Sequence, residues 1–163
     1  MRRSDALRIF DANLNRSREG LRVCEEIARF VLEDAALTRS LKSARHSIAD
    51  AIKGLAKGLD EVVAARDTRS DVGKAPSVLE ESRGDWRDLF IANVERSKEA
   101  LRVLEETSKL FDAALSRLFK KTRFDVYAIE KRALPKLDAL RDHRSIGRKK
   151  SIRRGAGSHS RRR

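Results

Sequence analysis

Cysteine, proline and long apolar runs are nearly missing from this chain. Its 163 residues include one Cys, two Pro and eight Gly, and aromatic residues make up 5%. A single thiol, Cys24, excludes an intrachain disulfide and fits a reducing cytosol. No apolar run approaches the roughly 18–20 residues of a membrane span. The start, Met1-Arg2-Arg3-Ser4-Asp5, leads into no signal-peptide block. A cytoplasmic protein without membrane contact is therefore expected. The Gly-x-x-x-x-Gly-Lys-Ser/Thr phosphate loop and the Gly-x-Gly-x-x-Gly turn are also absent. His46, His143 and His159 have no metal-ligand spacing, so nucleophilic catalysis by Ser–His or Cys–His has no support. What remains is chemistry that Arg, Glu, Asp and Asn perform by charge and position.

The charge is uneven. Of the formal net +13, the segment Arg141–Arg163 contributes +9, with ten basic residues against Asp142 alone. The other 140 residues carry 28 basic and 24 acidic groups, an ordinary mixed surface. The chain thus divides into a body, residues 1–140, and a basic tail, 141–163, poor in apolar residues and expected to be disordered. The tail is read as a solvated appendage, with nucleic-acid contact by counterion release as the alternative.

What is present in the body is a repeat. Ala12–Glu26 reads ANLNRSREGLRVCEE and Ala92–Glu106 reads ANVERSKEALRVLEE, 80 residues later and without a gap. Ten of the fifteen positions are identical, where composition alone gives about one. Polar letters recur as well as apolar ones: Asn13/Asn93, Arg16/Arg96, Glu19/Glu99, Arg22/Arg102, Glu25/Glu105 and Glu26/Glu106. Leu41-Lys42-x-x-Arg45 and Phe119-Lys120-x-x-Arg123 extend the likeness more weakly. Packing requires no particular polar residue on a surface, so a duplicated helical half with a used polar face is expected.

Periodicity supplies the helices. Leu7, Phe10, Leu14, Ser17, Leu21, Cys24, Ala28 and Val31 step by three and four, one apolar seam widened by Val23, Ile27 and Phe30. This helix is expected from Ser4 or Asp5 to about Leu32, with Cys24 a buried structural thiol. A second is expected from Ala35 to Leu59, a third from Trp86 to Phe111 and a last from Ala113. The connection Val62–Asp85 carries Asp, Ser, Gly and Pro punctuation that does not hold a helix. The fold class is all-α: a bundle of about four long helices in two similar, duplicated hairpins.

The repeated face admits two readings. It is either a self-satisfied ion-pair surface, each exposed pair contributing about 0–1 kcal/mol, or a site where guanidinium groups hold phosphates and carboxylates hold Mg²⁺ or a polar ring. Recurrence of the same letters favours the site. Arg66, Asp67, Thr68, Asp71 and Gly73 in the long connection are a second cluster suited to phosphate contact or, more plainly, to turns. Tyr127, with Arg123 and Glu130 at helical steps, is either a core tyrosine or part of the site.

These motifs, RIFDANLNRSREGLRVCEEIARF, AARDTRSDVG, ANVERSKEALRVLEETSKL and RFDVYAIE, resemble a small all-helical kinase family of thiamine biosynthesis, over about Leu7–Pro135. Its members phosphorylate hydroxymethylpyrimidine phosphate, alone or fused to thiamine-phosphate synthase. The resemblance implies ATP-dependent conversion of 4-amino-5-hydroxymethyl-2-methylpyrimidine phosphate to its diphosphate by a standalone form. It implies ATP as donor, Mg²⁺ as cofactor and small-molecule partners; a homodimer is a candidate assembly. The basic tail is outside the pattern.

Roles then follow as physical expectations. Arg16 and Arg96, with Glu26 and Glu106, are the candidate catalytic set. Asn13, Arg22, Arg66, Asn93, Arg102, Arg123 and Tyr127 are the candidate substrate and phosphate contacts. Glu19, Glu99 and Asp71 are the candidate metal ligands. Three rivals predict different behaviour. A cofactor-independent isomerase or lyase of the chorismate-mutase type runs in EDTA, an RNA- or partner-binding module depends on the tail, and a structural bundle responds to arginine substitution in stability alone.

Overall fold

The computed structural model describes residues 3–53, 63, 64, 66 and 84–155. Four long helices follow one another: α1 (Arg3–Phe30), α2 (Ala35–Lys53), α3 (Trp86–Ser108) and α4 (Ala113–Gly155). The all-α fold class is as expected. Three helix starts are fixed by aspartates whose side chains satisfy otherwise orphaned N–H groups. Asp34 Oδ1 accepts from Ala36 N and Leu37 N, both at 2.9 Å. Asp112 Oδ1 does the same for Ala114 N at 2.8 Å and Leu115 N at 3.1 Å. Asp85 Oδ1 takes Asp88 N at 3.0 Å. At the end of α1, Glu33 turns left-handed (φ 51) and Asp34 N reaches back to Ala28 O at 2.9 Å. That six-residue closure ends the helix and starts the next within one turn.

The helices pack in a ring: α1 on α3, α3 on α4, α4 on α2 and α2 on α1. Every neighbouring pair is antiparallel. Along α1 and α3, Ser17 meets Ser97 and Cys24 meets Phe90, so one numbering rises as the other falls. Lys98–Glu130 and Arg87–Asp138 show the same for α3 and α4, and Arg132–Ser40 and Lys136–Asp34 for α4 and α2. The order is therefore up, down, down, up, and Lys53 and Trp86 lie at opposite ends of the bundle.

The core is the predicted seam. Phe10, Leu14, Ser17, Leu21, Cys24, Ile27 and Ala28 of α1 are buried with Leu37, Leu41, Ala44, Ile48 and Ala51 of α2. Leu115, Phe119, Val126, Ile129, Ala133 and Leu137 complete it from α4. Burial pushes the Cys24 thiol pKa up, as a structural thiol requires. Phe30, expected to widen the seam, is instead 63% exposed. Thirteen residues separate it from Ser17, about 220° of net rotation, which carries it to the far side of α1.

The α1–α3 crossing is built from small residues: Ser17, Gly20, Ser97 and Ala100, all buried. A Cβ on Gly20 would stand 2.6 Å from Asn93 O and 2.4 Å from Ser97 Oγ, so the close approach needs glycine there. Ser97 Oγ donates to Asn93 O at 2.8 Å and lies 3.3 Å from Ser17 O. Helix α4 passes the end of the body. Arg141 binds Asp85 Oδ2 at 2.6 Å and Asp88 Oδ1 at 3.5 Å, joining the first residue of the expected tail to the α3 cap. Helical geometry then continues to Gly155, over the first part of the segment for which disorder was expected.

Candidate functional site

The internal repeat is also a spatial one. Glu25 of α1 is buried and takes Arg22 Nη1 at 3.2 Å and Arg45 Nε of α2 at 2.9 Å. Glu105 of α3, buried to the same degree, takes Arg102 Nη1 at 3.1 Å and Arg123 Nη2 of α4 at 2.7 Å. Glu26 pairs with Arg22, and Glu106 with Arg102 at 2.8 Å and Lys109 at 2.8 Å. Each hairpin is thus tied by the same arginine–glutamate–arginine bridge. The Glu105 contact, first, holds the Arg123 pKa above the ordinary arginine range, and that of Glu106 is lowered chiefly by Lys109.

These pairs separate the repeated letters into two groups. Arg22, Arg102, Arg123, Glu26 and Glu106, expected to act in catalysis or substrate binding, all make ion pairs within the chain. Asn13 and Asn93 each donate Nδ2 to the carbonyl four residues earlier, Ile9 O and Leu89 O, both at 2.8 Å. Arg16, Arg96, Glu19 and Glu99 are different. All four are exposed and make no hydrogen bond or ion pair among the described residues.

Where Arg16 and Arg96 point follows from helix geometry. Arg16 precedes Glu25 by nine residues, about 900° or two and a half turns, so the two lie on opposite faces of α1. Glu25 faces α2 through Arg45, so Arg16 faces away from the α2–α4 layer. The same count relates Arg96 to Glu105, which faces α4 through Arg123. Both arginines therefore emerge on one outer surface of the α1–α3 layer, beside the crossing at Ser17 and Ser97. Glu19 and Glu99 flank them one turn further along their helices.

The other predicted residues fall elsewhere. Arg66 grips Asp11 in a bidentate pair, Nε to Oδ2 and Nη2 to Oδ1, both at 2.7 Å. Asp11 is only 4% exposed and also accepts from Asn15 Nδ2 at 3.3 Å. Asp11 and Arg16 are five residues apart, about 140° around the helix, so Arg66 docks on a different flank from the Arg16–Arg96 surface. Tyr127 is exposed rather than core. Its hydroxyl accepts from Arg123 at 3.3 Å and its ring packs edge-on against Phe124, centroids 5.8 Å apart. Asp67, Thr68, Asp71 and Gly73 lie outside the described residues.

Two groups were not singled out in the sequence. Asp11 is one; the other is Lys98, 8% exposed and bound by Glu95 at 2.6 Å and Glu130 at 2.7 Å, with the Tyr127 ring centroid 5.1 Å away. Both sit where the halves differ, Asp11 against Ile91 and Arg18 against Lys98. Differences within the repeat, not its identities, were the signal. Among the described residues no three His, Cys, Asp or Glu side chains gather as a metal site. Mg²⁺ commonly takes one or two carboxylates with the rest from water and substrate phosphates. The uncommitted carboxylates of Glu19 and Glu99 fit that mode. Glu26 and Glu106 are already held by cations.

Fold and surface together define a duplicated four-helix bundle with a pair of uncommitted arginines on one face. The chain belongs to the ThiD2 family, which its residues 8–132 match. It is 47% identical over 124 residues to a thiamine-phosphate synthase of Synechocystis sp., covering 76% of this chain and 34% of that one. A thiamine-phosphate synthase of Rhodopirellula baltica is 41% identical over 123 residues, 75% of this chain and 32% of that one. One of Thermosynechococcus vestitus is 44% identical over 124 residues, with 76% and 34% covered. The chain spans about a third of the length of these curated relatives. They place it in a thiamine-biosynthesis family. No solved structure matches it. No helix among the described residues is long and apolar enough to cross a membrane.

Proposed function

We propose that this protein transfers the γ-phosphoryl group of ATP to 4-amino-5-hydroxymethyl-2-methylpyrimidine phosphate, giving the diphosphate and ADP. One observation carries the reading. Of the arginines repeated between the halves, Arg22 and Arg102 are consumed by carboxylates, while Arg16 and Arg96 share a surface with no partner. Two guanidinium groups kept free of internal pairs are suited to bidentate phosphate contacts. The family's link to thiamine biosynthesis supplies the substrate class.

The attacking group is a phosphate oxygen of the acceptor, ionised near neutral pH, so no strong general base is required. An O–P bond forms to the γ-phosphorus, the bond to the β–γ bridging oxygen breaks, and ADP leaves with that electron pair. Little covalent work falls to the protein: catalysis is alignment and charge neutralisation. Arg16 and Arg96 hold the phosphates against their mutual repulsion, and Glu19 and Glu99 would bind Mg²⁺, which supplies further neutralisation when present. Selectivity follows because the unphosphorylated alcohol offers the arginines no anion. The test is coupled ADP release with the pyrimidine phosphate and with the free alcohol, each with and without EDTA. Turnover of the phosphate alone, lost in EDTA, is expected. Equal rates for the alcohol, or product formation without ATP, overturns the reading.

A further inference from the structure

The two halves are alike in backbone and opposite in charge along one flank, and that difference assigns the ligand to one of them. Positions in α1 and α3 correspond at a spacing of 80 residues, and positions in α2 and α4 at 78, as Arg45 and Arg123 or the caps Asp34 and Asp112 show. On α1 the residues Asp11, Asn15, Arg18, Arg22 and Glu25 step by four and three along the flank beside α2. On α3 the same line reads Ile91, Glu95, Lys98, Arg102 and Glu105, beside α4.

In the second half this flank is closed by its own side chains. Lys98 lies between Glu95 and Glu130, and Tyr127 lays its ring over the ammonium group. In the first half Arg18 replaces Lys98, but every group that closed the flank is gone. Asn15 stands for Glu95, Ala49 for Tyr127, and Ile52 for Glu130. Arg18 is partly exposed and has no hydrogen bond or ion pair among the described residues. The nearby carboxylates are taken, Asp11 by Arg66 and Glu25 by Arg22 and Arg45. Counting Arg18, Arg22, Arg45 and Arg66 against Asp11, Glu25 and Glu26, the first flank has one cation in excess. Counting Lys98, Arg102 and Arg123 against Glu95, Glu105, Glu106 and Glu130, the second has one anion in excess.

We propose that the groove between α1 and α2 is a phosphate-binding subsite in which Arg18 contacts the ligand, and that the groove between α3 and α4 is its self-filled, purely structural counterpart. This rests on the proposed function for the identity of the ligand, a phosphorylated pyrimidine, but not for the location. A planar guanidinium left without a carboxylate, beside three further arginines, takes a phosphate oxygen pair at little desolvation cost.

Titration calorimetry with two probes, hydroxymethylpyrimidine phosphate and inorganic pyrophosphate, separates location from identity. Arg18→Gln is expected to weaken binding at least about tenfold, the loss of one charge-assisted contact, with the urea midpoint unchanged. Ala49→Tyr, which fills the groove as Tyr127 fills the other, should do the same. Glu95→Gln, which frees one side of Lys98, should leave both affinities within about twofold of wild type. Binding that survives both Arg18→Gln and Ala49→Tyr overturns the assignment, as does loss of binding in Glu95→Gln alone. If wild type binds pyrophosphate through Arg18 but ignores the pyrimidine phosphate, the subsite stands and the proposed substrate falls. If neither probe binds, both fall.

Discussion

Replacing Gly20 by alanine tests the repeat architecture where it is tightest. The added methyl would sit 2.4 Å from Ser97 Oγ and 2.6 Å from Asn93 O. A relaxed carbon–oxygen contact needs about 3.3 Å, a shortfall of roughly 0.7 Å against the backbone oxygen. Ser97 Oγ can rotate away, losing its 2.8 Å bond to Asn93 O, but the carbonyl belongs to α3 and cannot. Relief requires α1 and α3 to separate along a crossing that also carries Leu21, Cys24, Val94, Leu101 and Leu104. Overpacking of this kind costs about 1–3 kcal/mol, while alanine in a helix interior gains about 1 kcal/mol over glycine. The net prediction is a loss of about 1–2 kcal/mol. It is read as a lower urea midpoint with unchanged slope, by helical circular dichroism. The mirror position, Ala100, already accommodates its methyl, so Ala100→Gly should cost about 1 kcal/mol through propensity. If Gly20→Ala is as stable as wild type or more so, the close crossing at Ser17 and Ser97 is wrong.

Three further expectations follow from the ion pairs. Arg123→Ala leaves Glu105 buried with Arg102 alone and should destabilise by about 3 kcal/mol, measured by urea unfolding; a stability change within error would return Arg123 to the substrate-binding set. The Lys136 contact, first, and the Leu37 N–H hold the Asp34 carboxyl below the ordinary carboxylate range. A depressed folded pKa means this contribution is whole above about pH 4, the unfolded value, and lost as pH falls through the folded one. Asp34→Asn should therefore flatten the acid limb of stability against pH and lower the plateau above it; an unchanged acid limb contradicts the pairing. Truncation after Arg141 keeps the contacts to Asp85 and Asp88, so turnover should stay within about twofold, whereas removing Arg141 too should lower the unfolding midpoint, though only slightly for an exposed pair. Collapse of turnover on the first truncation alone would make the basic segment a working part.

The bundle was legible because its information is local. Phe10, Leu14, Leu21 and Leu41 announce their faces through spacing, and Asp34 and Asp112 through capping chemistry. Phe30 misled because a three-residue step from Ile27 looks periodic yet rotates past the edge of the buried face. The polar face was legible only as letters. That Glu25 meets Arg45, or that Lys98 meets Glu130, depends on which helix becomes the neighbour, and no single segment encodes that. Counting recurrences therefore grouped Arg22, Arg102 and Glu106 with Arg16 and Arg96, though the first three are bound within the chain. The same emphasis on identity passed over Asp11 and Arg18, where the halves diverge.

The account is tested most directly by following diphosphate formation from hydroxymethylpyrimidine phosphate and ATP, by phosphorus magnetic resonance, with wild type and the double variant Arg16→Lys/Arg96→Lys. Lysine keeps each charge but not the planar fork. Wild type should form the diphosphate, and the variant should lose at least about tenfold in kcat/KM with an unaltered urea midpoint. A variant within about threefold of wild type would contradict the claim that these two exposed arginines hold the reacting phosphates.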